Sequence, residues 1–114
     1  MLAKVNRIVD AAGFRRVMRI GRKITTPHLV MYVAPSSGSA PQVGFVVSGK
    51  YGNAIARNTV RRRLRARVGE LIRSGSLGSD LVIRVRADAG IPDWATLGAE
   101  LHEIPTLGAS RSFA

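Results

Sequence analysis

Apolar side chains recur along this 114-residue chain in two rhythms, one helical and one alternating. Phe14, Val17 and Met18 fall at i, i+3 and i+4, a single stripe that predicts a short helix over 10–20. Asp10 is placed to cap this helix and Gly21 to end it. Residues 28–34 read as a strand, 35–41 as a loop rich in Ser and Pro, and 43–48 as a second strand. Two strands joined this way most simply form an antiparallel pair. Residues 49–56 form a Gly- and Asn-containing connection. From 56 to 74 the helical period is strongest, with Val60, Leu64, Val68, Leu71 and Ile72 on one stripe. At about 100° per residue, Asn58 and Arg62 project farthest from that stripe. Arg61 and Arg65 lie along one flank, and Arg63 and Arg67 along the other. Gly75 and Gly78 end the helix. Residues 81–86 alternate, with Leu81, Ile83 and Val85 inward and Val82, Arg84 and Arg86 on a basic outer face. Pro92 precedes a last helix over 93–104 that carries Trp94, Leu97, Leu101 and Ile104. Pro105 stops it, leaving 106–114 as a frayed tail.

The order helix, strand, strand, helix, strand, helix predicts one α+β domain over 1–114: a two-layer sandwich, a small sheet with helices on one face. If the strands flanking the long helix are parallel neighbours, that helix is a crossover, right-handed by default.

Charge changes this picture. Lys and Arg number 18 against seven acids, a net of +11. Residues 1–67 hold fourteen of those bases and one acid, Asp10, whereas residues 68–114 hold four bases and six acids. Such asymmetry suits a protein with one face aimed at a polyanion. Arg dominates, and its planar guanidinium pairs with phosphate in bidentate fashion and stacks on bases. The chain has no Cys, so disulfides and thiolate metal sites are excluded. No apolar run reaches the roughly 18 residues of a spanning helix, and no signal-peptide core opens the chain. The expected location is cytoplasmic, with no membrane partner.

Catalytic chemistry finds little support. His28 and His102 stand in different elements without a carboxylate nearby in sequence, and read as ordinary edge or surface residues. Asp88 and Asp93 flank a loop but lack a spaced third ligand. Residues 49–52 lack the Gly-Lys-Ser/Thr of a phosphate-binding loop. By contrast, six Arg fall between Arg57 and Arg67, and the first acid after them is Glu70. A helix needing only solubility would mix Glu among them. Crowded like charges call for an external polyanion, and the helix start at Arg57 and Asn58 adds exposed N–H groups. Lys50, in the loop before, points the same way.

The run Val43-Gly-Phe-Val-Val-Ser-Gly-Lys-Tyr-Gly-Asn-Ala-Ile-Ala-Arg-Asn-Thr-Val-Arg-Arg-Arg-Leu-Arg65 closely resembles the signature of the bacterial ribonuclease P protein subunit. Asn6-Arg7-Ile8 and the stretch from Phe14 to Gly21 are similar to that family's first helix. Leu29–Tyr32 resembles its first strand, and Gly78–Ile83 its last. Thr59, Gly49 and Met18 depart from the pattern, where the family commonly has a basic residue, a Lys and a Phe. The resemblance implies a ribosomal protein S5 domain 2-like fold with a left-handed crossover around the Arg-rich helix, against the default.

It also implies a function. Members of the family bind a large catalytic RNA that, with its magnesium, removes the 5′ leader of precursor tRNA. The enzyme is an endoribonuclease, and the protein supplies no catalytic side chain. By this resemblance Arg57, Asn58, Arg61, Arg62 and Arg65 hold the catalytic RNA, with Lys50 and Asn53 assisting. Phe14, Met18 and Tyr32 match a cleft that holds the single-stranded leader, where bases stack on aromatic rings. Read from the residues alone, Phe14 and Met18 are core residues beneath the first helix. Tyr32 shares a strand face with His28 and Val30. Mg2+ is expected mainly on the RNA, the partners are the catalytic RNA and precursor tRNA, and no small-molecule substrate is expected. The alternative reading is a generic RNA-binding or ribosomal assembly protein, which composition alone does not separate. A membrane-surface module is disfavoured because the apolar stripe lacks a large aromatic and suits a protein core.

Overall fold

The structure, a computed structural model, describes residues 6–8, 10–36, 38, 40–75, 77–88 and 90–104. The expected tail over 106–114 lies outside the described residues. Helix α1 spans Ala11–Ile20, strand β1 Arg22–Thr25, β2 Leu29–Pro35 and β3 Val43–Val46. A 3-10 turn, Gly49–Tyr51, precedes the long helix α2, Ala54–Arg73, and β4, Ser79–Val85, and α3, Trp94–Leu101, follow it.

The helix boundaries follow from local chemistry. Asp10, Asn53 and Asp93 cap α1, α2 and α3, each side chain accepting a backbone N–H three residues on. Asn53 starts α2 two residues before the expected position. Gly75, at φ +76°, terminates it and donates to the Ile72 carbonyl.

The four strands form one mixed sheet in the order β1-β2-β4-β3. β1 pairs antiparallel with β2, β2 antiparallel with β4, and β3 parallel with β4. The expected pairing of the strands at 28–34 and 43–48 is therefore corrected: β4 lies between β2 and β3. The reason is burial, since β4 is apolar on both faces over Leu81, Val82 and Ile83, as a central strand must be. The parallel β3–α2–β4 unit makes α2 a crossover, as the helix between two parallel neighbours requires. β1 was not expected: in Arg-Lys-Ile-Thr only Ile24 is partly buried, so an edge strand this polar leaves no alternation to read.

The sheet separates two apolar layers. Leu29, Met31, Val33, Leu81, Ile83 and Val85 face α2 and α3, meeting Val60, Leu64, Val68, Leu97 and Leu101 in the main core. On the other side Val17 of α1 joins Ala34 and Val82, flanked by Ile8, Phe14, Tyr32 and Val46. The α+β class and the layering of α2 and α3 on one face are as expected; the placement of all helices on one face is corrected. α1 covers the opposite face because Val82, Ala34 and Val30 would otherwise be apolar surface in water. Val82 is accordingly buried rather than part of a basic outer face, and only Arg84 on that side of β4 is exposed.

α1 is held there by an ion pair. Arg16 Nη1 donates to Asp80 Oδ2 at 2.9 Å, and Nη2 donates to the Pro35 carbonyl at 2.9 Å. Asp80 is buried and also accepts the Gln42 N–H at 2.9 Å. On the other layer, Glu100 of α3 is buried and accepts from the Thr26 hydroxyl, from His28 N at 2.9 Å and from His28 Nδ1 at 2.6 Å.

Candidate nucleic-acid interface

The arginines of α2 divide according to which side of the buried stripe they occupy. Arg63 Nη1 donates to the Pro92 carbonyl at 3.0 Å. Arg67 donates from Nε and Nη2 to the Trp94 carbonyl, at 3.1 and 2.8 Å, and its guanidinium lies 4.2 Å from the Trp94 ring centroid. That flank is spent on docking α3. The other flank and the outer face stay open. Arg62 and Arg65 make no hydrogen bond or ion pair to another described residue, and both are exposed. Arg61 Nη1 donates to Asn58 Oδ1 at 3.2 Å. Arg57 Nη1 donates back to the Gly52 carbonyl at 2.6 Å, fastening the loop to the helix. Among the described residues, the one carboxylate paired to an arginine of this helix is Glu70, 3.4 Å from Arg67. The first turn of α2 holds no acid. The open flank is thus a row of uncompensated positive charge.

Lys50 is exposed in the 3-10 turn that precedes α2. Asn53 is exposed, and its Oδ1 accepts the Ala56 N–H at 2.9 Å and builds the helix start.

Phe14 and Tyr32 come together in the apolar layer beneath α1. Met18, one turn beyond Phe14, is 38% exposed. The ring of Phe14 rests on Gly44 of β3, where a Cβ would come within 2.4 Å of it. Beside that contact runs a cleft of about 160 Å³ lined by Arg7, Ile8, Phe14, Gly44, Arg61 and Arg65, among others. Two groups that the sequence kept apart, the α2 arginines and the Phe14 surface, therefore line one cleft. Arg7 was missed as a member. It reaches the cleft because residue 7 bridges to Val43 at the free edge of β3, and Ile8 N donates to the Val43 carbonyl at 3.0 Å.

A second opening, of about 290 Å³, is lined by Val30, Ser48, Arg84, Val85, Arg86 and Asp88. It continues the sheet face beyond α1. His28 does not join Tyr32 and Val30 there. It sits in the turn before β2, and its ring is drawn to Glu100 on the opposite layer. Burial alone would raise the Glu100 pKa, but the hydrogen bonds from Thr26 and His28 outweigh it and hold the carboxyl below the usual range. Asp88 pairs with Arg86 at 3.5 Å while Asp93 caps α3, so the two carboxylates serve separate ends of their loop. Hydrogen bonds from Thr96 keep Asp93 below its ordinary pKa. Among the described residues, no helix is long and apolar enough to cross a membrane.

Fold and surface together define a small α+β protein with an arginine-lined helix and an aromatic cleft beside it. Comparison with known proteins narrows this. The family described as ribonuclease P matches residues 2–106. The ribonuclease P protein component of Clavibacter michiganensis is 40% identical over 107 residues, covering 93% of this chain and 95% of the relative. That of Kocuria rhizophila is 37% identical, covering 88% of each chain. The solved RNase P protein of Staphylococcus aureus superposes with a TM-score of 0.76 at 25% identity, covering 97% of this chain and all of the other. The chain belongs to the ribonuclease P protein family. These matches do not favour a ribosomal assembly protein.

Proposed function

We propose that this protein grips the catalytic RNA of ribonuclease P with Arg57, Asn58, Arg61, Arg62 and Arg65, aided by Lys50 and Asn53. In this reading the surface of Phe14, Tyr32 and Met18, together with the cleft that Phe14 lines, takes the single-stranded 5′ leader of precursor tRNA. The observation that carries it is the shared cleft, in which Arg61 and Arg65 stand against Phe14. A strand leaving the catalytic RNA would meet aromatic surface and guanidinium groups within one step. Guanidinium groups neutralise converging phosphates, and rings receive unstacked bases with little sequence preference.

Hydrolysis of the phosphodiester belongs in this proposal to the RNA, and Mg2+ bound there would supply Lewis-acid chemistry. Among the described residues, no group of three or more His, Asp or Glu side chains could hold such an ion. The protein positions and neutralises. Its place of work is the cytoplasm, where tRNA precursors are processed.

Reconstitution tests this. The chain, a bacterial ribonuclease P RNA and precursor tRNA are combined at low magnesium, and leader release is followed. Stimulated cleavage, with none from the protein alone, is the expected result. Cleavage by the RNA that the protein does not stimulate overturns the proposal.

A further inference from the structure

Ile55 is the most exposed of the large hydrophobic residues described, at 76%, whereas Met18, Ile20, Ile91 and Trp94 lie between 38% and 49%. Single exposed apolar residues are ordinary on protein surfaces. The position of this one is not. At about 100° per residue, Ile55 lies directly opposite the buried stripe of Val60, Leu64 and Val68. Arg62, seven residues on, shares that outermost line, with Asn58 and Thr59 on either side of it. Ile55 therefore stands about 10 Å along the axis from Arg62, at the start of the outward face that Asn58 and Arg62 continue.

Nothing within the helix asks for isoleucine here. The first turn favours an acid that complements the helix dipole, and a β-branched side chain is a weaker helix former than Ala, Glu or Lys. The Ile55 side chain joins neither apolar layer. Its backbone carbonyl accepts the Thr59 hydroxyl at 2.8 Å, a contact any residue would provide. An apolar knob on the outer line of α2, with Asn58 beside it, Arg62 farther along the same line and no acid in the first turn, matches a nucleic acid: phosphates for the guanidinium, a flat apolar base for the knob.

We infer that Ile55 is an apolar anchor that packs against an unpaired base of the catalytic RNA. The inference rests on the proposed role of α2 and adds a contact of a different physical kind. Arginine contacts release counterions and weaken with salt, with a slope of about −0.9 per phosphate neutralised on duplex and about −0.7 on single strands. An apolar contact releases no counterions, so its loss lowers affinity without changing that slope.

The test measures binding of the full chain to an in vitro transcribed bacterial ribonuclease P RNA across a series of monovalent salt concentrations. Ile55→Ser and Ile55→Ala are expected to weaken binding about tenfold at every salt concentration, in line with losing most of the burial of one aliphatic side chain. Ile55→Met, which keeps an apolar side chain, is expected to stay within about threefold of wild type. Arg62→Ala is expected to flatten the salt slope by nearly one unit. Circular dichroism melts confirm that each variant is folded, and Ala at this exposed site favours helix. If Ile55→Ala and Ile55→Ser bind like wild type while Arg62→Ala does not, the anchor is wrong and the role of α2 stands. If none of them weakens binding, the reading of α2 fails and the anchor with it. Sedimentation of the free protein supplies the remaining arm: self-association abolished by Ile55→Ser would make a second copy the occupant and overturn the inference.

Discussion

The ring of Phe14 fills the space where a side chain at position 44 would stand: a Cβ on Gly44 would lie 2.4 Å from Phe14 Cε1 and 2.5 Å from Cζ. This contact fixes how closely α1 approaches β3, and so the width of the cleft that Arg61 and Arg65 close from the other side.

Gly44→Ala therefore pushes the ring out of its seat. A loss of about 1–3 kcal/mol is expected, the usual cost of overpacking. Phe14→Leu in the same chain should recover part of it, a coupling that a double-mutant cycle of thermal melts measures.

Phe14→Ala and Tyr32→Ala should weaken binding of leader-bearing precursor more than of mature tRNA, by about 1–3 kcal/mol per stacked base lost. Fluorescence titrations of both RNAs on the reconstituted holoenzyme make the comparison. Equal losses for the two RNAs would assign these rings to packing alone.

The two flanks of α2 should separate cleanly. Arg61→Ala, Arg62→Ala and Arg65→Ala combined leave the melting temperature nearly unchanged but reduce RNA affinity and its salt dependence. Arg67→Ala does the reverse. It removes the Trp94 ring contact and two hydrogen bonds to α3, costing about 1–2 kcal/mol of stability. Gly98→Ala reproduces part of this loss, since its Cβ would meet Arg67 Nη2 at 2.8 Å and turn the guanidinium aside.

Arg16→Ala is expected to cost more than Asp80→Ala. The first leaves a buried carboxylate without its ion-pair partner, whereas the second leaves a guanidinium whose side chain is 31% exposed and can hydrate. Urea denaturation of both variants should rank them in that order, with Arg16→Ala at about 2–4 kcal/mol.

Glu100 makes the link between α3 and the turn before β2 sensitive to acid. Its folded pKa lies below the ordinary value, so it contributes stability above the unfolded Glu pKa of about 4.3, and that stability is lost as pH falls through the lower folded value. Melting temperatures across the acid range should fall less steeply with decreasing pH for Glu100→Gln than for wild type. An unchanged slope would remove Glu100 from the acid response.

Much of this molecule is legible in the amino-acid order. The stripe Val60, Leu64 and Val68, the cap at Asp10, and the outward set Asn58, Arg61, Arg62 and Arg65 follow from helix period and short-range hydrogen bonding. Those depend on neighbours within about four residues. Tertiary structure alone decided that β4 enters between β2 and β3, that α1 crosses to the opposite layer, that Arg63 and Arg67 turn to α3, and that His28 leaves the face of Tyr32 for Glu100. Each of these joins residues distant in the chain. A guanidinium with the same local spacing can meet a phosphate or a carbonyl of its own protein, and the choice is made by what the completed fold brings within reach.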